Sequence, residues 1–255
     1  MDMPLDCTAA SKAGWVETEK PTLPTGYESL VLMCRKNFND LCLLYDDTGY
    51  IAGAQICLQI DNFSGNVFEW EQSGFTKWSV KSDDSTIEYY CVRQFFASAD
   101  YLATDKETRI AARDDDYILQ DGSIWLEDID HTLRNVSTTF NEIHSNSDFT
   151  EQACFIGMGN HYYYKMSESM ECTYDAISRW FLLFYNKQFV GTGFNWPGKY
   201  TVASNAIDTF EYPNKMAIKM IVPRAPECYY AYGDSGMVVL HTYFIKDPHL
   251  ISCIW

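Results

Sequence analysis

The chain has 255 residues, a formal net charge of −16 at pH 7 and an aromatic share of 16%. This charge argues against nucleic acid and anionic membranes as partners, because both require lysine and arginine to displace counterions. The hydrophobic share of 47% excludes an intrinsically disordered chain, and no apolar run approaches the ~20 residues that cross a membrane as a helix.

The N-terminal segment has little hydrophobic periodicity. Residues 1–26 contain Pro4, Pro21 and Pro24, and we predict that they form an extended arm. The first residues are polar and lack the apolar core of a signal peptide. If the protein is secreted, the chain is therefore expected to be a mature form that begins with an added Met1.

Two segments have the composition of a β-hairpin. In residues 41–54, apolar runs flank Asp46-Asp47-Thr48-Gly49, and in residues 181–191 they flank Asn186-Lys187-Gln188. Asp, Asn and Gly favour turn conformations, and the β-branched and aromatic residues on either side favour strands. The two segments are loosely similar, which is compatible with two similar halves of the chain or with hairpins of independent origin.

Other segments show the alternation or the short apolar runs of strands. A hairpin is predicted in residues 117–125 around Asp121-Gly122, because an Asp-Gly pair favours a tight turn. The remaining predicted strands are residues 86–96, 154–166, 216–222 and 237–245, with a short one at Cys253.

One amphipathic helix is predicted near residues 124–144. Apolar residues recur there at steps of three and four, which is the spacing of one helix face. They are Trp125, Ile129, Leu133, Val136, Phe140 and Ile143. Asn135 lies away from this stripe, so a glycan attached to it would face solvent.

The order of elements is strands, one main helix and strands again. This order predicts a mostly β fold, with an α+β fold as the alternative, in which antiparallel sheets form a barrel or a sandwich. Residues 27–255 are expected to form a single β-rich domain. The other possibility is two loosely similar halves, at 27–122 and 150–255, joined by the helix near 124–144.

Nine cysteines are scattered along the chain. They form no Cys-X-X-Cys pair and no cluster with histidine at zinc-binding spacing, so we expect no metal cofactor. Their spread favours long-range disulfides, and the odd number leaves at least one thiol free or bonded to another chain. The alternative is an intracellular protein with nine buried thiols. The disulfide candidates are Cys7, Cys34, Cys42, Cys57, Cys91, Cys154, Cys172, Cys228 and Cys253.

Two Asn-X-Ser sequences are candidate N-glycosylation sites, at Asn62 and Asn135. Each alone is a weak signal, because such sequences arise readily by chance in a chain of this length. Together with the cysteines they favour a secreted, disulfide-bonded glycoprotein. The expected location is therefore extracellular.

Two of the five histidines lie in strand-like segments with aromatic neighbours. His161 follows Gly157-Met158-Gly159 and precedes three tyrosines, and His241 shares a strand face with Val239 and Tyr243. A histidine in such surroundings can act as a general acid or base with a shifted pKa. It can equally be a hydrogen-bonded core residue. We name His161 and His241 as candidate catalytic residues.

The aromatic clusters predict a cavity lined by rings. Consecutive tyrosines on a strand point to both faces, so half of them can line a pocket and offer stacking surfaces and phenolic hydrogen bonds. Ordinary core packing is the alternative. The candidate ligand-binding residues are Tyr163, Tyr243, Trp180, Trp196 and Tyr230.

Gly233-Asp234-Ser235-Gly236 resembles the nucleophile motif of chymotrypsin-type serine proteases. The resemblance covers four residues only, and no Ala-Ala-His-Cys segment lies upstream to supply the catalytic histidine. We interpret the four residues as a hairpin turn before the strand at 237–245.

The aspartate runs at 46–47, 83–84 and 114–116 lack the spacing of an EF-hand loop. They are interpreted as solvated turns and not as calcium sites.

Three functions are compatible with this sequence. The first is a secreted glycoprotein whose aromatic-lined cavity binds a small apolar or aromatic molecule. The second is an enzyme that acts on such a molecule by hydrolysis, isomerisation or cofactor-free oxidation, with His161 and His241 as general acid and base. The third is a structural or recognition glycoprotein without a pocket. None of the three requires a cofactor, and the oligomeric state does not follow from the sequence.

Overall fold

The computed structural model describes residues 3–82, 85–202 and 207–253. Its strands are β1 (Trp15–Glu17), β2 (Val31–Arg35), β3 (Phe38–Tyr45), β4 (Ile51–Gln59), β5 (Phe63–Ser64), β6 (Thr76–Ser82), β7 (Ser85–Phe95), β8 (Ser123–Glu127), β9 (Leu133–Ser137), β10 (Phe149–Phe155), β11 (Gly159–Tyr164), β12 (Trp180–Tyr185), β13 (Gln188–Pro197), β14 (Lys199–Tyr200) and β15 (Met237–Tyr243). Its α-helices are α1 (Cys7–Lys12), α2 (Ala99–Ala103), α3 (Lys106–Ala112), α4 (Phe140–Asn146), α5 (Lys215–Ile221) and α6 (Glu227–Ser235).

The chain divides into two compact units, each with its own antiparallel sheet. Unit 1 consists of Met1–Asn62, Trp70–Val136 and Val202–Ile207. Unit 2 consists of Phe63–Glu69, Ser137–Thr201 and Asp208–Trp255. The relation of these units to the two loosely similar halves expected from the sequence stays a prediction.

Unit 1 is built on a sheet with the strand order β1-β2-β3-β4-β7-β8-β9, and β6 also pairs with β7. The order runs from β1 to β9 without returning, so the sheet is open and is not a closed barrel. Two disulfides join residues that face each other across neighbouring strands. They are Cys34–Cys42 between β2 and β3, and Cys57–Cys91 between β4 and β7.

Unit 2 is built on a five-stranded sheet with the order β10-β11-β12-β13-β15, and β5 and β14 form a separate pair. Helices α5 and α6 cover one face of this sheet, because Ile218 and Tyr229 share a core cluster with Tyr163, Phe181 and Val239 of the strands. A disulfide from Cys154 to Cys253 ties β10 to the C-terminal segment. Another, from Cys172 to Cys228, ties the β11–β12 connection to α6.

The mostly β, antiparallel fold predicted from the sequence is confirmed, and so are its two hairpins. β3 and β4 pair around the turn at Asp46–Gly49, and β12 and β13 pair around Asn186 and Lys187. Both turn residues of the second hairpin have positive φ, 49° and 62°, as a tight hairpin turn requires. The strands predicted at 86–96 and 237–245 are also present, as β7 and β15.

The amphipathic helix predicted near 124–144 is wrong. The segment forms β8, a short 3₁₀ turn at Ile129–His131, β9 and then α4, which begins only at Phe140. Asp130 and His131 have positive φ, 61° and 57°, and such residues interrupt a right-handed helix. In β8, Ile124 and Leu126 are buried, so the alternation of a strand prevails here over the three- and four-residue spacing.

The strand predicted at 216–222 is a helix, α5. The side chain of Asn214 accepts a hydrogen bond from the backbone nitrogen of Ala217 at 2.9 Å and caps the first turn. Ile218 and Val222 are buried while Met216 is exposed. This is the spacing of an amphipathic helix, which a short apolar run does not reveal.

Two predicted hairpin turns have other structures. Residues 117–122 form irregular turns before β8, because the Asp121 carboxylate accepts hydrogen bonds from the backbone nitrogens of Ser98 and Ser123. Residues 233–236 lie at the end of α6, where Gly236 has φ 125° and terminates the helix. The tyrosines at 229–232 are therefore helical.

Three smaller predictions also need correction. The strand expected at 154–166 is a hairpin of β10 and β11, and Cys253 lies outside the strands. Residues 1–26 are not simply an extended arm. Asp6 caps α1, and β1 pairs with β2, with the Trp15 side chain buried.

Eight of the nine cysteines form four disulfides, which confirms a disulfide-bonded chain. Not all of them are long-range, since Cys34–Cys42 has a sequence separation of only 8 residues. The free thiol is that of Cys7, which is half-buried. Four disulfides in one chain are typical of proteins that fold in an oxidising, extracellular environment. No helix in the described ranges is long and apolar enough to span a bilayer.

Candidate functional site

A small pocket lies in unit 2, on the face of the sheet that α5 and α6 cover. Its volume is about 40 Å³, which is room for about three water molecules. Apolar side chains of α5 and β15 form much of its wall. The residues with polar atoms or aromatic rings are His161, Tyr163, Phe181, Glu211, Tyr229 and His241.

His161 points into this pocket from β11 and is 1% exposed. Its Nδ1 lies 3.3 Å from the carbonyl oxygen of Ala153. That carbonyl is free to accept because β10 bulges between Glu151 and Cys154. A carbonyl can only accept, so the ring hydrogen is on Nδ1 and Nε2 carries a lone pair. This Nε2 is buried and has no hydrogen-bond partner.

His241 enters the same pocket from β15. Its Nδ1 lies 2.9 Å from Oε1 of Glu211. Glu211 is held beside β15 by a pair of backbone hydrogen bonds with Val239, of 2.7 and 2.9 Å. A carboxylate accepts the Nδ1 hydrogen and fixes the ring orientation. Nε2 of His241 is also buried without a partner.

The sheet brings the two imidazole rings together around Phe181. The ring centroids of His161 and His241 are 5.8 Å apart, and each lies within 5.4 Å of the Phe181 centroid. Phe181 occupies the space above Gly193, which pairs with both Phe181 and His241 in the sheet. A Cβ at position 193 would lie 1.8 Å from Cζ of Phe181.

Replacing Gly193 with alanine should therefore destabilise unit 2 and disturb the pocket. The added methyl group overlaps the buried Phe181 ring, and overpacking of this kind costs roughly 1–3 kcal/mol. Urea unfolding followed by tryptophan fluorescence measures the loss. In a double variant that also carries Phe181→Leu, the smaller side chain relieves the overlap, so the two effects should not add. Full additivity would show that Gly193 and Phe181 are not coupled.

Burial keeps His161 neutral. Desolvation, with a smaller contribution from His241, lowers the pKa of His161 to about 3. The imidazole therefore remains unprotonated near pH 7 and acts as a hydrogen-bond acceptor through Nε2. The same desolvation disfavours a positive charge at this depth in the pocket.

The hydroxyl groups of the two tyrosines in the pocket interact with each other. That of Tyr229 also donates to Oδ1 of Asn195 at 3.1 Å. The Asn195 amide donates onward to the carbonyl of Ser178. Burial raises the pKa of both tyrosines, so they remain protonated. They offer ring surface to a ligand but no free donor.

The other aromatic residues proposed from the sequence lie outside the lining of this pocket. Tyr243 stacks on His241 at 6.0 Å and donates to the carbonyl of Gly157. Trp180 and Trp196 have the opposite parity to Phe181 and Gly193, which places them on the other face of the sheet. Tyr230 is on α6 and hydrogen-bonds to the carbonyl of Pro223.

Sequence reasoning named His161, His241 and Tyr163 but missed Glu211, Phe181 and Tyr229. No local sequence pattern marks Glu211. It lies thirty residues from His241 in the sequence and is brought to it by a β-bridge between Glu211 and Val239. Tyr229 reaches the pocket from helix α6. The pairing of a ring with a glycine on the neighbouring strand, as in Phe181 and Gly193, becomes visible only once the register is known.

The remaining candidate sites lie apart from the pocket. Asn135 is exposed on β9, whereas Asn62 is half-buried and donates to the Gln59 side chain at 3.1 Å. Asp46 belongs to a hairpin turn, as predicted, but its side chain is not solvated, because it is buried and pairs with Arg109. The aspartates at 83–84 lie outside the described residues. In the described part of the chain, no three His, Cys, Asp or Glu side chains cluster as metal ligands do.

The pocket of unit 2 is thus the feature from which a function can be inferred. It combines two buried ring nitrogens without a hydrogen-bond partner, a carboxylate that orients one of the two rings, and an aromatic and aliphatic wall. Neither a family model, nor a curated protein, nor a solved structure matches this chain.

Proposed function

We propose that the protein is a secreted, disulfide-stabilised glycoprotein that binds a small apolar or aromatic molecule through a hydrogen-bond donor at one end. The observation that supports this is the pair of Nε2 atoms of His161 and His241, both buried and unpartnered in one pocket. A buried polar atom without a partner costs roughly 1–3 kcal/mol. A ligand that donates to these atoms recovers part of that free energy, and its apolar part packs against the pocket wall.

The size of the pocket restricts the ligand. Pockets that enclose a drug-sized molecule measure about 300 Å³ or more, whereas this one has about 40 Å³. The donor-bearing end of the ligand therefore enters the pocket, and the remainder lies at its opening. A closed cavity that surrounds a whole aromatic molecule does not fit these dimensions.

Two probes of equal size test the proposal. Both 2-propanol and acetone have four non-hydrogen atoms, but only 2-propanol donates a hydrogen bond. We expect 2-propanol to produce saturable changes in the histidine Cε1–Hε1 signals of a two-dimensional NMR spectrum, and acetone to produce none at the same concentration. Equal responses to both probes would contradict acceptor-based recognition, and no response to either would favour a protein without a ligand pocket.

Matched variants assign the response to the two nitrogens. His161→Phe and His241→Phe keep a ring of similar size and remove the acceptor. Each should weaken 2-propanol binding, while His249→Phe, at an exposed position, should leave it unchanged. If one buried variant fails to fold, the other alone still tests the assignment.

An acid–base enzyme is the second candidate, and the Glu211–His241 pair favours it. A histidine whose Nδ1 is held by a carboxylate, with Nε2 facing a pocket, has the arrangement of a general base. Hydrolysis of p-nitrophenyl acetate is a suitable probe reaction, because His241 would take a proton from water as the water attacks the ester carbonyl. The candidate predicts a rate above that of His241→Phe, with Glu211→Gln between them. Equal rates in all three proteins would exclude it.

Glycosylation provides a separate prediction. If the protein passes through a eukaryotic secretory pathway, we expect a glycan on Asn135 and little or none on Asn62. The Asn135 side chain is exposed on β9, whereas the Asn62 amide already donates to Gln59, and an attached glycan has to project into solvent. Removal of N-glycans should shift the wild-type band on a gel, and Asn135→Gln should abolish that shift. Loss of the shift in Asn62→Gln instead would reverse the assignment.

A further inference from the structure

The pocket lacks a free hydrogen-bond donor among its described side chains. The ring hydrogens of His161 and His241 are on Nδ1 and are used by Ala153 and Glu211. The hydroxyl hydrogen of Tyr229 is used by Asn195, and the hydroxyl of Tyr163 interacts with that of Tyr229. The polar side-chain atoms that remain available to a ligand can only accept. A ligand that fits must therefore bring all the donors itself.

The spacing of the two rings is compatible with one ligand atom that reaches both acceptors. A hydrogen bond of about 3.0 Å to Nε2 places the donor roughly 4 Å from the centroid of each imidazole ring. Two centroids 5.8 Å apart can both lie at that distance from a single atom. A group that carries two hydrogens on one atom can then satisfy His161 and His241 together. A hydroxyl group has one hydrogen and satisfies only one of them.

The charge of that group is also restricted. The burial that keeps His161 unprotonated disfavours any cation at the same depth, because removing charge from water is costly in the absence of a direct counter-ion. The Glu211 side chain is 49% exposed, so water screens its charge and weakens it as a counter-ion for a group at the depth of His161. An amine on a saturated carbon is protonated at pH 7, whereas an –NH₂ group on an aromatic ring or a carbonyl carbon is neutral.

We propose that the ligand carries a neutral –NH₂ group on an unsaturated carbon, as in an aromatic amine or a primary carboxamide, and that this group donates one hydrogen to Nε2 of His161 and one to Nε2 of His241. The inference rests on the proposed function, since it uses the same pocket and the same two nitrogens. It goes further by naming the chemical class of the group that enters.

A series of probes with four non-hydrogen atoms tests this inference. Acetamide has two donor hydrogens on a neutral nitrogen, 2-propanol has one, and the 2-propylammonium ion has three and a positive charge. We expect acetamide to bind about three- to tenfold more tightly than 2-propanol, which is the range of one added hydrogen bond. The ammonium ion should bind more weakly than either. Dissociation constants come from the histidine NMR signals.

The histidine variants give the decisive comparison. In His161→Phe and in His241→Phe only one acceptor remains. Acetamide and 2-propanol should then have about the same dissociation constant. In His249→Phe the advantage of acetamide should persist. Aniline and benzamide then distinguish an aromatic amine from a carboxamide, and a preference for either supports the inference.

Failure of the inference differs from failure of the proposed function. If 2-propanol binds as well as acetamide, or if the ammonium ion binds best, the –NH₂ assignment is wrong but the pocket still binds a donor. If the wild-type protein binds none of the three probes, both proposals are wrong.

Discussion

Replacing Cys154 and Cys253 with alanine should lower the free energy of unfolding by about 4 kcal/mol. The disulfide closes a loop with a sequence separation of 99 residues. The nested Cys172–Cys228 disulfide, with a separation of 56 residues, remains in the variant, so the loop that is opened has only about 43 residues. In the chain-entropy account, a cross-link over a loop of this length restricts the unfolded chain by about 4 kcal/mol, whereas one over about 8 residues does so by only about 2.5 kcal/mol. Cys154–Cys253 has the largest separation of the four disulfides. Its loss should therefore have the largest entropic effect.

Equilibrium urea unfolding of the double variant and of the wild-type protein measures this difference. The chain offers a control in Cys7, which is half-buried and unpaired. Cys7→Ala removes a thiol without removing a cross-link and should cost less than about 1 kcal/mol. The double variant should also show a larger urea dependence, because its unfolded chain is less compact. Equal stabilities of the double variant and Cys7→Ala would rule out the loop-entropy account.

The parts of the fold that follow from local chemistry could be predicted from the sequence. The turns at Asp46–Gly49 and Asn186–Lys187 were located because Asp, Asn and Gly tolerate the dihedral angles of tight turns. The apolar runs on either side of each turn favour strands, so a hairpin is the structure that agrees with both the turn and its flanks. The disulfides followed from the number and spread of the cysteines, although their pairing did not.

The failures have two physical causes. At residues 125–143 the stripe has helical spacing, but tertiary pairing overrides this local period, because β8 and β9 pair within the sheet of unit 1. The apolar run at 216–222 was too short for its period to distinguish a strand from a helix. Asn214 was the signal that could have identified α5, because asparagine caps helices well.

The candidate site could be predicted only in part. His161 and His241 stood out as titratable residues among aromatic neighbours, but their proximity depends on the strand order β11-β12-β13-β15. The absence of free donors in the pocket depends on single hydrogen bonds, such as that from His161 to the carbonyl of Ala153. A bulge in β10 creates that acceptor, and the sequence has no pattern that marks a bulge at this position.

Lowering the pH should destabilise the protein through His161, beginning near pH 6.5. Burial lowers the pKa of this histidine from its ordinary 6.5 to about 3, so the unfolded chain takes up a proton in a range where the folded protein does not. The stabilisation is fully present above pH 6.5 and is lost as the pH falls towards 3. At 1.36 kcal/mol for each pKa unit, the loss is about 2 kcal/mol by pH 5 and at most about 5 kcal/mol by pH 3.

The comparison that isolates this effect is between the wild-type protein and His161→Phe. Carboxylate groups also become protonated in this range and weaken both proteins alike, so only the difference in their pH profiles reports on His161. Urea midpoints measured at pH 7, 6, 5 and 4 should fall more steeply for the wild-type protein than for the variant, because the variant has no buried base to protonate. His249→Phe, which removes an exposed histidine, should follow the wild-type profile. Parallel profiles for wild type and His161→Phe would show that His161 is protonated as readily in the folded protein as in the unfolded chain. The neutral acceptor assigned to the pocket would then be wrong.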